Sequence, residues 1–152
     1  MPEEETLRKA HEDAEEGKSP STQAGEFVRE EIHHVREGKH GARSPKQAIA
    51  IGLSKARRAG VKLPPPKPGK TSARTRKKAE RDTERGRHPR KPSAKRSRAT
   101  KGALKRETRK SASPRALSKQ ARSSAAKRSK NARSRAAKKA SKTRRPRKRS
   151  QR

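Results

Sequence analysis

At 152 residues the chain is long enough for one domain, but only 23% of it is hydrophobic and 41% is charged, with a formal net charge of +33. Such a chain buries too little apolar surface to offset the entropy of ordering, so most of it is expected to be disordered. Without cysteine there is no disulfide framework and no thiolate metal site. The acidic start lacks the apolar core of a signal peptide, and no run approaches the roughly 20 apolar residues that span a bilayer.

Residues 1–20 form an acidic arm. Pro2, the acids Glu3, Glu4 and Glu5, and Gly17 punctuate a short helix, whose Leu7, Ala10 and Ala14 share a face. They bury little, so the arm is either a weakly held helix or disordered. Residues 21–37, "STQAGEFVREEIHHVRE", read as a helix over about 22–37 that stops at Gly38. Ala24, Val28, Ile32 and Val35 recur at helical spacing with Phe27 beside them.

"SPKQAIAIGLSKARRAG", residues 44–60, predicts a second helix over about 45–59. Ser44 is the N-cap, Pro45 stands at the first helical position, and Gln47 completes a capping box. Ile49, Leu53 and Ala56 line one face, Ala48 and Gly52 let a partner helix come close, and Gly60 is the stop. The two helices make a hairpin packed through Phe27, Val28, Ile32, Val35, Ile49, Leu53 and Ala56. So small a unit is marginal alone, which predicts self-association or a protein partner through residues 22–60. "KLPPPKPGK" then ends the ordered region as a stiff polyproline linker.

From residue 64 the sequence is low-complexity Lys, Arg, Ser and Ala, and a disordered tail is expected to 152. The fold class predicted is therefore mostly disordered, with a short all-α hairpin, at most one further N-terminal helix, and a long basic tail. Residues 1–40 hold 11 acids against 6 Lys/Arg, whereas 19 Lys/Arg and no acid follow Glu107. That asymmetry points to a polyanion. A membrane surface would want an apolar face as well, and only Leu104 and Leu117 lie beyond residue 63, so no membrane partner is expected. Nucleic acid is the expected partner, DNA ahead of RNA, bound through its phosphates without sequence reading as by a histone-like, nucleoid-associated protein; the alternatives are an RNA-binding or ribosome-associated basic protein, or a protein-interaction module with a solubilising tail. The cations assigned to this are Arg85, Arg87, Arg90, Lys91, Arg96, Arg98, Lys105, Arg106, Lys127, Arg128, Arg133, Arg135, Lys138, Lys139, Arg144, Arg145, Arg147, Lys148 and Arg149. Lys55, Arg57 and Arg58 would extend the surface onto the second helix. The acids of the arm (Glu3–Glu5, Glu12, Asp13, Glu15, Glu16) would compete with phosphate for the tail.

"RGRHPRKPS" from Arg85 resembles an AT-hook, whose Arg-Gly-Arg-Pro core lies extended in the minor groove, but His88 interrupts it. The tail is similar in composition to linker-histone tails, and Ser113-Pro114 resembles their Ser-Pro-basic turns. Glu30–His33 and Glu31–His34 each fit Glu-x-x-His, a metal-ligating pattern in bundles, yet one helix carries both, so solvated or partner-facing histidines are expected and no metal or cofactor. No nucleophile–base pair or phosphate-cradling loop stands out, so no enzymatic activity is expected.

Lys46–Gly60, "KQAIAIGLSKARRAG", following Phe27 and "REGKHG", resembles the signature of a family of small basic bacterial proteins known only as a domain of unknown function. The resemblance spans roughly residues 24–65. It implies a bacterial cytoplasmic protein and supplies no activity; a nucleoid location follows from the DNA reading.

Overall fold

The computed structural model describes residues 2–89, 91 and 93–149, with side chains as far as Lys142. Among these residues it contains seven α-helices: α1 (Glu4–Glu15), α2 (Pro20–Glu37), α3 (Pro45–Arg58), α4 (Ala73–Arg87), α5 (Ala94–Lys105), α6 (Pro114–Ala126) and α7 (Lys130–Arg149), with a 3-10 turn at Lys110–Ala112. Two compact units divide the chain, Met1–Ala116 and Leu117–Arg152.

The expectation of a mostly disordered chain with a disordered basic tail is overturned: four of the helices lie beyond residue 64. Burial was the wrong criterion for this stretch. Ala, Lys, Arg and Gln are among the strongest intrinsic helix formers, and serines stand where caps are needed. Ser72 caps α4 by accepting from the Thr75 amide at 3.2 Å, Ser113 does the same for α6 through Ala116 at 3.3 Å, and Ser129 for α7 through Ala132 at 3.2 Å.

In the first unit, α1 packs on α2, α2 on α3 and α3 on α4. Ser44 accepts from the Gln47 amide at 3.3 Å and begins α3. The return bond of the capping box goes one residue further back than expected, from the Arg43 amide to Gln47 Oε1 at 2.8 Å. At the other end, Gly60 has φ +94°, and the Val61 amide reaches back to the Ala56 carbonyl at 3.1 Å, closing a Schellman turn.

Phe27, Val35 and Ala56 are buried, whereas Val28, Ile32, Ile49 and Leu53 are half-buried. The deepest row of α3 is Ala48, Gly52 and Ala56, spaced i, i+4, i+8. A Cβ on Gly52 would stand 2.6 Å from Val28 Cα and 2.9 Å from the Phe27 carbonyl oxygen, so α2 and α3 touch backbone to backbone. The branched side chains flank that seam and do not fill it.

Two small apolar clusters result. One joins Ala10, Ala24, Phe27 and Ala56, with Leu53, Val61 and Leu63 against them; the other joins Val35, Ala42, Ala48 and Ala112, with Ile32. Ala10 comes from the arm and Ala112 from the basic region, so both flanks of the hairpin complete its core. The α2–α3 loop is bonded to the same region through Gly41 N–H to Leu104 O at 2.9 Å and Ala42 N–H to Thr108 O at 3.0 Å. Arg36 Nε donates to the Ala112 carbonyl at 2.9 Å. On α1 the buried face is Thr6, Ala10 and Asp13, while Leu7 is exposed.

Candidate nucleic-acid interface

From residue 85 onward the sequence holds 29 Lys/Arg and a single acid, Glu107. The structure arranges them on helices. Arg85 and Arg87 lie in the last turn of α4. Lys91 precedes α5, which carries Arg96, Arg98 and Lys105, and Arg106 follows it; Lys127 and Arg128 lie between α6 and α7; Arg133, Arg135, Lys138 and Lys139 lie on α7. All are exposed. Arg90 lies outside the described residues, as do the side chains of Arg144, Arg145, Arg147, Lys148 and Arg149.

On α7 the spacing of Arg135, Lys138, Lys139 and Lys142 places four cations along one stripe. A 20-residue helix is roughly 30 Å long, close to one turn of B-DNA. The Arg-Gly-Arg triplet at residues 85–87 is helical, and Gly86 is pressed against the Arg57 carbonyl: a Cβ there would be 2.2 Å from that oxygen. An extended minor-groove conformation is therefore not present at this segment. Ser113-Pro114 is a helix cap and first helical residue, the same device as Ser44-Pro45.

The α3 cations divide by role. Lys55 is sunk between two carboxylates of α2, 2.9 Å from Glu30 Oε1 and 2.8 Å from Glu31 Oε2. Burial pulls its ammonium down, but the two carboxylates outweigh this and hold its pKa above the usual lysine value. Burial likewise pushes Glu30 up, and Lys55, the Glu3 amide and the Thr6 hydroxyl reverse that to leave it below the ordinary carboxylate range. Arg57 is buried and spans the Leu63 carbonyl at 3.4 Å and the Pro64 carbonyl at 3.3 Å, fastening the proline-rich segment to α3. Of Lys55, Arg57 and Arg58, the last alone stays open, 3.8 Å from Asp82 on α4, whose carboxylate also accepts from Ser54 at 2.5 Å. Lys55 and Arg57 are thus structural cations and do not extend the basic surface.

Most acids of the arm are matched locally. Arg8 pairs with Glu12, Lys9 with Glu5, His11 with Glu15, and Lys18 with both Asp13 and Glu16. Glu3 accepts from His34 at 2.8 Å and Lys39 at 3.0 Å, which draw its carboxyl down to about 2. The Glu3 contacts tie the start of α1 to the end of α2, whereas the other pairs lie within the arm, whose seven acids against three Lys/Arg leave residues 1–20 net negative.

A small helical unit followed by strongly basic helices is the class defined by these features. Residues 17–67, which take in α2, α3 and the start of the proline-rich segment, match the model of a family of unknown function, DUF6496. No curated protein and no solved structure matches the chain. No helix among the described residues is long and apolar enough to cross a membrane.

Proposed function

We propose that this protein binds nucleic acid, DNA in preference to RNA, through phosphate contacts made by its basic helices, as a histone-like, nucleoid-associated factor. The observation that carries the reading is the excess of exposed Lys and Arg on helices beyond residue 85, opposed by one acid. Each phosphate neutralised releases condensed counterions, so affinity comes without base reading and falls with salt. Helical presentation favours DNA: the B-form major groove, about 12 Å wide, admits an α-helix, whereas the deep, narrow A-form groove does not. Within Met1–Ala116, the α1–α3 core packs Ala112 and bonds residues 104–112 to the α2–α3 loop.

Fluorescence anisotropy with the full chain tests this, using duplex DNA of unrelated sequences beside duplex and single-stranded RNA. The reading expects DNA binding at physiological salt, varying little with sequence and tighter than to either RNA. RNA binding without DNA binding overturns the DNA assignment, and binding to neither overturns the whole proposal.

A further inference from the structure

Beside the α2–α3 seam lies a polar cluster that nucleic-acid binding leaves unexplained. Glu31 is among the three largest fully buried side chains, with 0% exposure, and neither of its carboxylate oxygens accepts a hydrogen bond. Its neighbours stand close: Lys55 Nζ is 2.8 Å from Oε2 and His40 Nε2 is 3.1 Å from Oε1, at ion-pair distance but off the hydrogen-bonding directions. A buried carboxylate left without directed partners is costly unless something completes it.

The histidines show what that is. His40 Nδ1 lies 3.0 Å from the Gly41 carbonyl, which only accepts, so Nδ1 carries a proton, and the neutral form of the ring has its lone pair on Nε2. That lone pair lies beside Glu31 Oε1 and does not aim at it. His34 Nε2 likewise donates to Glu3, leaving Nδ1 unprotonated in the neutral ring, 3.8 Å from Glu30 Oε1 and without a bond to it. With both rings neutral, acceptors face acceptors. Two donor groups chelating one ion, with bonds of about 2.0–2.2 Å, sit roughly 3.4 Å apart, and each lone pair aims at the ion and past the other ligand. The 3.1 Å spacing of His40 Nε2 and Glu31 Oε1 is close to that separation.

We propose that Glu31, His34 and His40 form a binding site for a divalent transition-metal ion of the zinc type. One ligand atom from each lies within 4.8 Å of the others, so modest side-chain movement closes the triangle to bonding distance. Two imidazoles and one carboxylate leave a fourth position open, a donor set zinc accepts. Glu3 holds the far nitrogen of His34 and the Gly41 carbonyl holds that of His40, the usual way a ligating ring is oriented. Glu31 and His34 sit one turn apart on α2, while His40 follows the left-handed Gly38 that ends the helix (φ +79°). A metal would pin the end of α2 to the α2–α3 loop. Lys55 on Glu31 Oε2 leaves Oε1 for the ion, and its charge moderates the affinity. This site stands or falls independently of the nucleic-acid reading.

The test uses the full chain, stripped with chelator and titrated with Co(II) alone, then with Zn(II) alone. Expected are one equivalent of bound metal, the intense visible bands of a low-coordinate Co(II) centre, and a Zn(II)-dependent rise in Tm. His40→Ala should weaken binding at least tenfold and abolish the Tm response, whereas His33→Ala and His11→Ala, altering histidines outside the cluster, should leave both intact. Lys55→Met should tighten Zn(II) binding. If His40→Ala fails to fold, His40→Gln and the metal-dependent shifts of the His34 and His40 ring signals in NMR decide the same question. No bound equivalent, equal loss in His33→Ala, or ring signals showing both histidines protonated and indifferent to Zn(II) would each overturn the proposal.

Discussion

Gly52→Ala should destabilise the protein although alanine is the better helix former. Within an α-helix the exchange alone favours the folded state by about 1 kcal/mol. Here the added methyl meets backbone at 2.6 and 2.9 Å, where ordinary contact is about 3.5–4.0 Å, and backbone cannot rotate away as a flexible side chain can. Opening α2 from α3 by something near 1 Å would loosen the packing of Phe27, Ala48 and Ala56. Overpacking of this kind costs about 1–3 kcal/mol, with backbone clashes at the upper end, so the net loss should be about 1–2 kcal/mol. The control is internal: a Cβ on Gly25, in α2, meets nothing within 4 Å, so Gly25→Ala should stabilise by about 1 kcal/mol. Thermal and urea unfolding followed by circular dichroism read both. A Gly52→Ala protein as stable as the parent would refute the close α2–α3 contact.

Ser44→Ala removes the cap of α3 and should cost about 1 kcal/mol in the same urea assay, while Ser44→Asp should retain most of it. Lys18 has its pKa raised by hydrogen bonds to Asp13 and Glu16, so its contribution is complete below its unfolded value near 10.5 and lost as pH rises through the higher folded value. Lys18→Met should therefore be less stable than the parent at neutral pH, with the gap closing in strongly alkaline buffer; a pH-independent gap would count against the pairing. In α7 the Lys138 and Lys142 charges stand one turn apart and repel, so sulfate or duplex DNA should raise the helical signal of the full chain. A signal unmoved by either anion would separate the helix from its charge.

The α2–α3 hairpin was legible because its signals are local. Ser44, Pro45, Gln47, Gly38 and Gly60 mark where backbone bonds must be capped or turned. The seam between the helices was harder, since Ile49 and Leu53 draw attention while the residues that permit contact are Ala48 and Gly52. The helicity of the basic region is not legible from hydrophobicity, because Ala, Lys and Arg favour helix without burial. The docking of Ala112 depends on a contact with residues some 70 positions earlier in the chain, which no local pattern announces. Glu31 was illegible for a similar reason: a charged side chain reads as solvated until Lys55 and His40 are seen beside it. The Glu-x-x-His spacing carried that signal, but the second histidine comes from the loop.

Phosphate neutralisation by exposed helical cations is the central feature of the proposed binding. Its most direct test is the slope of log Kobs against log salt for duplex DNA, comparing the full chain with a variant in which Arg133, Arg135, Lys138 and Lys142 are replaced by glutamine. Engagement of about six phosphates predicts a parent slope of roughly −5, and every phosphate the variant no longer neutralises should flatten it by about 0.9. A parent slope near zero, or a variant slope equal to the parent's with equal affinity, would contradict the assignment of binding to these helices.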